Sequence, residues 1–208
     1  SNDKKYGAVT ESKTAADDFN PVDLKEHWNS EYMKDVRRKL MAGERISQCD
    51  VCNDDILSVS NYRQWFTGNL FNDKIQQAFD STDDDGYTTM PTISFDYRFS
   101  NLCNFKCRMC GELLSSSWEA EKKKHNMWSP ENQPFMQHDV KRKMNAFQVN
   151  VVEPEFRAAV DAGIVEEIYW VGGEPLMYDI HWETLEKMVQ NGSAKNCYLR
   201  YNSNLSRV

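Results

Sequence analysis

The chain has 208 residues, enough for one domain or one domain with a smaller module. Its net charge of −7 argues against a broad nucleic-acid-binding face, because neutralising phosphates takes a basic surface. A 40% hydrophobic share excludes wholesale disorder, and no 18-residue apolar run offers a membrane-spanning helix.

Residues 1–22 are polar and are expected to be irregular. Over 23–42 the pattern is helical: Trp28, Tyr32, Val36 and Leu40 recur every four residues as a packing stripe, and Gly43 stops the helix. The pair Cys49 and Cys52 follows in "QCDVC", and "NYRQWFTGNLFNDKIQQAF" predicts a further helical stretch. "DSTDDDGYTTMP" has the composition of a linker, with Asp83, Asp84 and Asp85 as linker charge. The expected organisation is a mainly helical segment over 1–80, a linker over 81–91 and an α/β region over 92–208.

That region opens with "TISFDYRF", an alternating β-rich run predicting a strand over 92–99. "SNLCNFKCRMCG" follows as a loop and "ELLSSSWEAEKKK" as a helix, with Lys122, Lys123 and Lys124 on a solvated face. "HNMWSPENQPFMQHD" is expected to be a loop, and "EPEFRAAVDAG" a short helix ended by Gly163. "IVEEIYWV" predicts a strand, "GGEPLMYD" a turn, "IHWETLEKMVQNG" a helix and "NCYLRYNSN" a third strand. His181 and Cys197 are expected to pack rather than to ligate. Strands alternating with helices predict a parallel α/β sheet or barrel, in which chemistry sits at the carboxyl ends of the strands. The cysteine loop, "GGEP" and "NSN" each fall at such an end.

Six cysteines occur: Cys49, Cys52, Cys103, Cys107, Cys110 and Cys197. The opening residues lack the apolar stretch of an export signal, so a reducing cytoplasmic setting with free thiols is expected. Cys103, Cys107 and Cys110 are spaced to wrap a soft metal or an iron–sulfur cluster. Structural zinc usually takes four protein ligands, and this stretch has three cysteines and no local histidine. A zinc site closed by a distant residue stays open as an alternative. So does a fully ligated electron-transfer cluster, or a non-catalytic zinc or iron–sulfur interaction module. Three thiolates on a four-iron cubane leave one iron without a protein ligand, and that open position suits catalysis.

The spacing Cys103-x3-Cys107-x2-Cys110 after a strand, with "GGEP" after the next, resembles the radical S-adenosylmethionine superfamily. The resemblance implies that the three cysteines hold a 4Fe–4S cluster. S-adenosylmethionine chelates the fourth iron and is cleaved reductively to a 5′-deoxyadenosyl radical, which abstracts hydrogen from a substrate. It further implies that Gly172, Gly173, Glu174 and Pro175 meet the methionyl amine, that Ser203 and Asn204 line the cofactor pocket, and that Met109 lies by the adenine, where relatives usually carry an aromatic residue. Leu205 replaces the glycine of the corresponding relatives' turn. The implied fold is the first three units of a partial TIM-like (β/α) barrel, a complete one taking roughly 250 residues. Gly43, Glu44, Arg45, the Cys49/Cys52 pair, Ser60 and Arg63 resemble the segment that precedes the core in twitch- or SPASM-like radical enzymes. There the pair would contribute to an auxiliary cluster; half a zinc knuckle or plain surface thiols are the alternatives. A peptide or protein substrate and an electron donor such as a flavodoxin or ferredoxin are the implied partners, with no nucleic acid and no membrane. The chain begins without methionine and is expected to be a piece of a longer protein, not competent by itself.

Overall fold

The computed structural model describes residues 21–49, 61–98, 100–129 and 136–206. Cys52, Ser60, most of the expected irregular start and the centre of the expected loop over 125–139 lie outside them. The chain divides into two compact units, one of residues 24–91 and one of residues 92–208 with 1–23.

The smaller unit begins with two helices where the periodicity predicts one. α1 spans Leu24–Trp28 and α2 spans Glu31–Met41. Ser30 breaks the run: its backbone is extended and its hydroxyl accepts from the Met33 N–H, capping α2. Asn29, in the gap, pairs with Thr88 in the manner of a strand, donating to its carbonyl at 3.0 Å and accepting from its N–H at 3.0 Å. The expected stripe does not form a buried seam, for neither helix contains a buried residue. Trp28 instead donates to the Met90 carbonyl, and Arg37 lies over its ring at 4.7 Å.

The next helical stretch is also subdivided. α3 (Tyr62–Trp65) has a capping box between Asn61 and Gln64 and runs into a π turn, Phe66–Leu70. A 3-10 turn, Asn72–Lys74, leads into α4 (Ile75–Asp80). Residues 81–91 form a turn built into this unit, with Thr82 bridging Thr88 and Asp85 meeting Lys34 at 2.5 Å and Arg38 at 3.2 Å.

The larger unit is mixed helix and sheet. Three parallel strands, β1 (Ser94–Tyr97), β2 (Glu167–Trp170) and β3 (Tyr198–Tyr201), lie in the order β1-β2-β3. Phe95, Ile168 and Leu199 are in register, as are Tyr97, Trp170 and Tyr201. Because side chains alternate across a strand, these residues share one face. Phe156 and Val160 of α7 (Glu153–Asp161) and Ile180 and Met188 of α8 (Asp179–Gln190) complete their core. Phe156 meets Tyr97 at 5.0 Å and Trp170 at 6.0 Å between ring centres. Fully burying such a side chain is worth about 1.5–3 kcal/mol.

The opposite face is polar. The buried carboxylate of Glu167 accepts from Ser94 Oγ and pairs with Arg200 at 2.6 Å, and Arg200 stacks over Tyr169 at 4.2 Å.

Between β1 and β2, α5 (Ser116–Lys124) is followed by α6 (His138–Phe147), a π turn (Gln148–Val152) and then α7. The short helix expected from "EPEFRAAVDAG" is thus the last part of a longer helical run, and α6 begins inside the segment expected to be a loop. Pro154 accounts for the π turn. Proline has no N–H to continue the ladder, and just before it the Glu153 N–H reaches back five residues to Gln148 O. Gly163 and Gly192 end α7 and α8 with positive φ, as expected. Among the described residues no helix is long and apolar enough to cross a membrane.

Candidate functional site at the strand ends

The loop after β1 is anchored from behind by α5. Ser115 caps the helix by accepting from the Trp118 N–H and donates to the Phe105 carbonyl at 2.6 Å. Ser116 accepts from the Cys103 N–H at 3.1 Å, and Ser117 donates to the Cys103 carbonyl at 2.8 Å. Trp118 Nε1 donates to the Cys107 carbonyl at 3.0 Å. The serine run does two jobs at once: serine suits a helix N-terminus because its hydroxyl satisfies exposed backbone groups, and here those groups include the cysteine loop's own. The Cys110 N–H closes a turn onto the Cys107 carbonyl.

Cys103 is buried, while Cys107 and Cys110 are half-buried, and all three are free thiols. Burial raises the Cys110 pKa, and the neighbouring Cys107 and Cys103 raise it further. Among the described residues, no three His, Cys, Asp or Glu side chains stand close enough to grip a single ion. A cubane, which spreads its thiolates over three irons, asks for a wider array than one ion does. Two N–H groups point at the Cys103 sulfur, from Phe105 at 3.4 Å and from the Asn204 amide at 3.6 Å. The thiols of Cys103, Cys107 and Cys110 are of the kind an iron–sulfur cluster takes as ligands.

The turn after β2 crosses directly beneath the loop. Gly172 and Gly173 have φ of 85° and 60°, a region that side chains disfavour. Close approach is the second reason for glycine. A Cβ on Gly173 would fall 2.3 Å from the Leu102 carbonyl and 2.5 Å from the Tyr178 hydroxyl, and one on Gly172 would fall 3.0 Å from Arg98 Cβ. Tyr178 fastens the crossing by hydrogen bonding the Ser100 carbonyl at 2.9 Å and also the Gly172 carbonyl. The Glu174 N–H donates to the Leu102 carbonyl at 2.8 Å.

Glu174 is fully buried, and its carboxylate joins the third strand end to the second. It accepts from the Leu176 N–H at 3.1 Å, from Ser203 Oγ at 2.8 Å and from the Asn204 N–H at 2.6 Å. Pro175 is buried at the start of the 3-10 turn Pro175–Met177. The Asn204 side chain then reaches Cys103. Cys103, Glu174 and Asn204, from three separate stretches of sequence, thus form one connected array.

Met109 is 93% exposed on the loop. Cys49 ends a 3-10 turn, Ser47–Cys49, and is half-buried, while Cys52 lies outside the described residues. Cys197 packs against the core, and burial raises its pKa to about 11. His181 is buried against Trp170 and within 3.0 Å of the Tyr201 hydroxyl, and burial lowers its pKa.

Several contributors were not read from the sequence: Tyr178, Leu102, Asn104, Asn101 and the serines of "SSSW". A serine run before a helical pattern signals a cap, but not what else the hydroxyls hold. Nearby, Asn101, Lys123 and Lys141 hydrogen bond the buried Glu119. Burial alone would raise the Glu119 pKa, but these three donors prevail and lower it to about 2.

Comparisons of the chain with protein-family models, with curated proteins and with solved structures returned no match.

Proposed function

We propose that the chain carries the cluster-binding part of a radical S-adenosylmethionine enzyme, its sheet forming the first strands of a partial (β/α) barrel. The observation that supports this reading is the convergence of the three strand-end segments on Cys103. A reduced 4Fe–4S cluster would supply the electron that splits S-adenosylmethionine into methionine and a 5′-deoxyadenosyl radical able to take hydrogen from a substrate.

The protein's own part is to hold and to shape. Cys103, Cys107 and Cys110 would bind the cluster as thiolates. Gly172 and Gly173 let the second strand's turn lie against the loop, so that backbone rather than side chain faces a ligand. Glu174 spends three hydrogen bonds on Leu176, Ser203 and Asn204, and so braces the wall where the amino-acid end of S-adenosylmethionine would sit. The polar sheet face with Glu167, Tyr169 and Arg200 would line the barrel interior. Residues 1–80 would serve as a twitch- or SPASM-like segment, with Cys49 and Cys52 toward an auxiliary cluster. A peptide or protein is the substrate class this reading favours, with a flavodoxin- or ferredoxin-like electron donor in a cytoplasmic setting.

Anaerobic reconstitution with iron and sulfide tests the proposal. The chain should take up about four irons at the core site, with broad visible absorption. A variant with Cys103, Cys107 and Cys110 all replaced by alanine should lose them, while one lacking Cys49 and Cys52 should keep them. A colourless protein that binds zinc and takes up no iron would refute the reading.

A further inference from the structure

We infer that Asn204 is a positioning residue for the cluster: its side-chain amide donates a hydrogen bond to the Cys103 sulfur and raises the potential at which the site accepts an electron. The inference rests on the reading that Cys103, Cys107 and Cys110 hold a 4Fe–4S cluster.

Asn204 Nδ2 stands 3.6 Å from Cys103 Sγ. Which end of an amide faces a partner has to be deduced from its surroundings. Here the surroundings decide it. The Ser206 N–H can only donate, so the Asn204 atom it meets at 2.9 Å is the oxygen. Nδ2 is left facing Cys103, and it also donates to Asn104 Oδ1 at 3.3 Å. Asn104 is tied in turn to the Ser206 hydroxyl at 2.8 Å. The main chain is equally fixed, because the Asn204 N–H donates to the buried Glu174 carboxylate at 2.6 Å. Neither the position nor the rotation of the amide is free.

The arrangement is lopsided. Cys103 Sγ accepts from both Phe105 and Asn204, whereas among the described residues no donor reaches the sulfur of Cys107 or Cys110. A hydrogen bond to a thiolate withdraws electron density from it. That eases the addition of one electron, here from an external low-potential donor, and moves the potential upward. Asn204 also makes the β3 end, through Glu174 and the β2 turn, part of the cluster's surroundings.

The test is an anaerobic redox titration of the reconstituted chain, followed by electron paramagnetic resonance, with iron content measured on each sample. Asn204→Ala removes the donor. Asn204→Asp keeps the size, the main-chain bond to Glu174 and an acceptor for Ser206, but replaces the donor with a charged acceptor. Asn204→Ala should disfavour the reduced cluster about tenfold, equivalent to about 59 mV for a one-electron couple, with Asn204→Asp shifted further in the same direction. Variants that hold the cluster at the unaltered potential, or an Asn204→Ala variant shifted upward, would overturn the inference and leave the cluster reading intact. An unmodified chain that takes up no iron would overturn both, before any variant is made.

Discussion

The two units are held by different chemistry. In residues 92–206 an aromatic core does the work: Tyr97, Phe156, Ile168, Trp170 and Met188 are buried together against one sheet face. Among the described residues of 24–91, Ile46 is the one buried large hydrophobic side chain. The ties there are polar, from Asn29 to Thr88, from Arg37 to the Trp28 and Gly86 carbonyls, and from Lys34 and Arg38 to Asp85. Apolar burial tolerates small displacements because it has no direction, while a hydrogen-bonded clasp holds only at its own geometry. The unit with the directionless core is the one that carries the cysteine loop.

This contrast makes predictions, in order of size. Phe156→Ala opens a hole among three aromatic neighbours and should cost about 3–5 kcal/mol, read from urea unfolding. A loss under about 1 kcal/mol would mean that the aromatic cluster is not what holds the α/β unit. Asn29→Ala leaves both backbone groups of Thr88 without their partner and should cost about 1–3 kcal/mol on the same assay. An effect matching that of Phe156→Ala would erase the distinction between the units. Salt should have the smallest effect. The Asp85 pairs are exposed, so 1 M salt, with a screening length of about 3 Å, should remove most of their contribution. Asp85→Asn should therefore be felt at low salt and be silent at high salt. The buried Glu119 cluster sharpens the same point through pH. Its folded pKa of about 2 lies below the unfolded value of 4.5, so its stabilisation is complete above pH 4.5 and is lost as pH falls from there through about 2. Glu119→Gln should flatten that acid limb, and salt should affect it less than it affects Asp85.

The order of strands and helices was legible because the β-rich runs alternate cleanly with helix-period runs. "TISFDYRF", "IVEEIYWV" and "NCYLRYNSN" contain β1, β2 and β3, though hydrogen bonding trims each to four residues. The helical run from His138 was not legible, because Pro154 reads as a helix start and hides the turns ahead of it. The break at Ser30 was missed for a different reason. Periodicity carries across a cap, and the partner that makes the break worthwhile, Thr88, is far away in sequence. Within the site, the cysteines and the glycine pair announce themselves by spacing. Tyr178 and Asn104 do not, since a tyrosine in a turn and an asparagine in a loop look the same whether or not they clasp a distant strand end.

The crossing at Gly173 bears on transplantation. A designer who lifts residues 100–111 onto another scaffold would carry the thiols and leave behind the tyrosine hydroxyl, the paired glycines and the serine run that give the loop its shape. The smallest portable piece is the set of three strand termini together with the start of α5. A graft of anything less should be judged by whether the loop keeps its form.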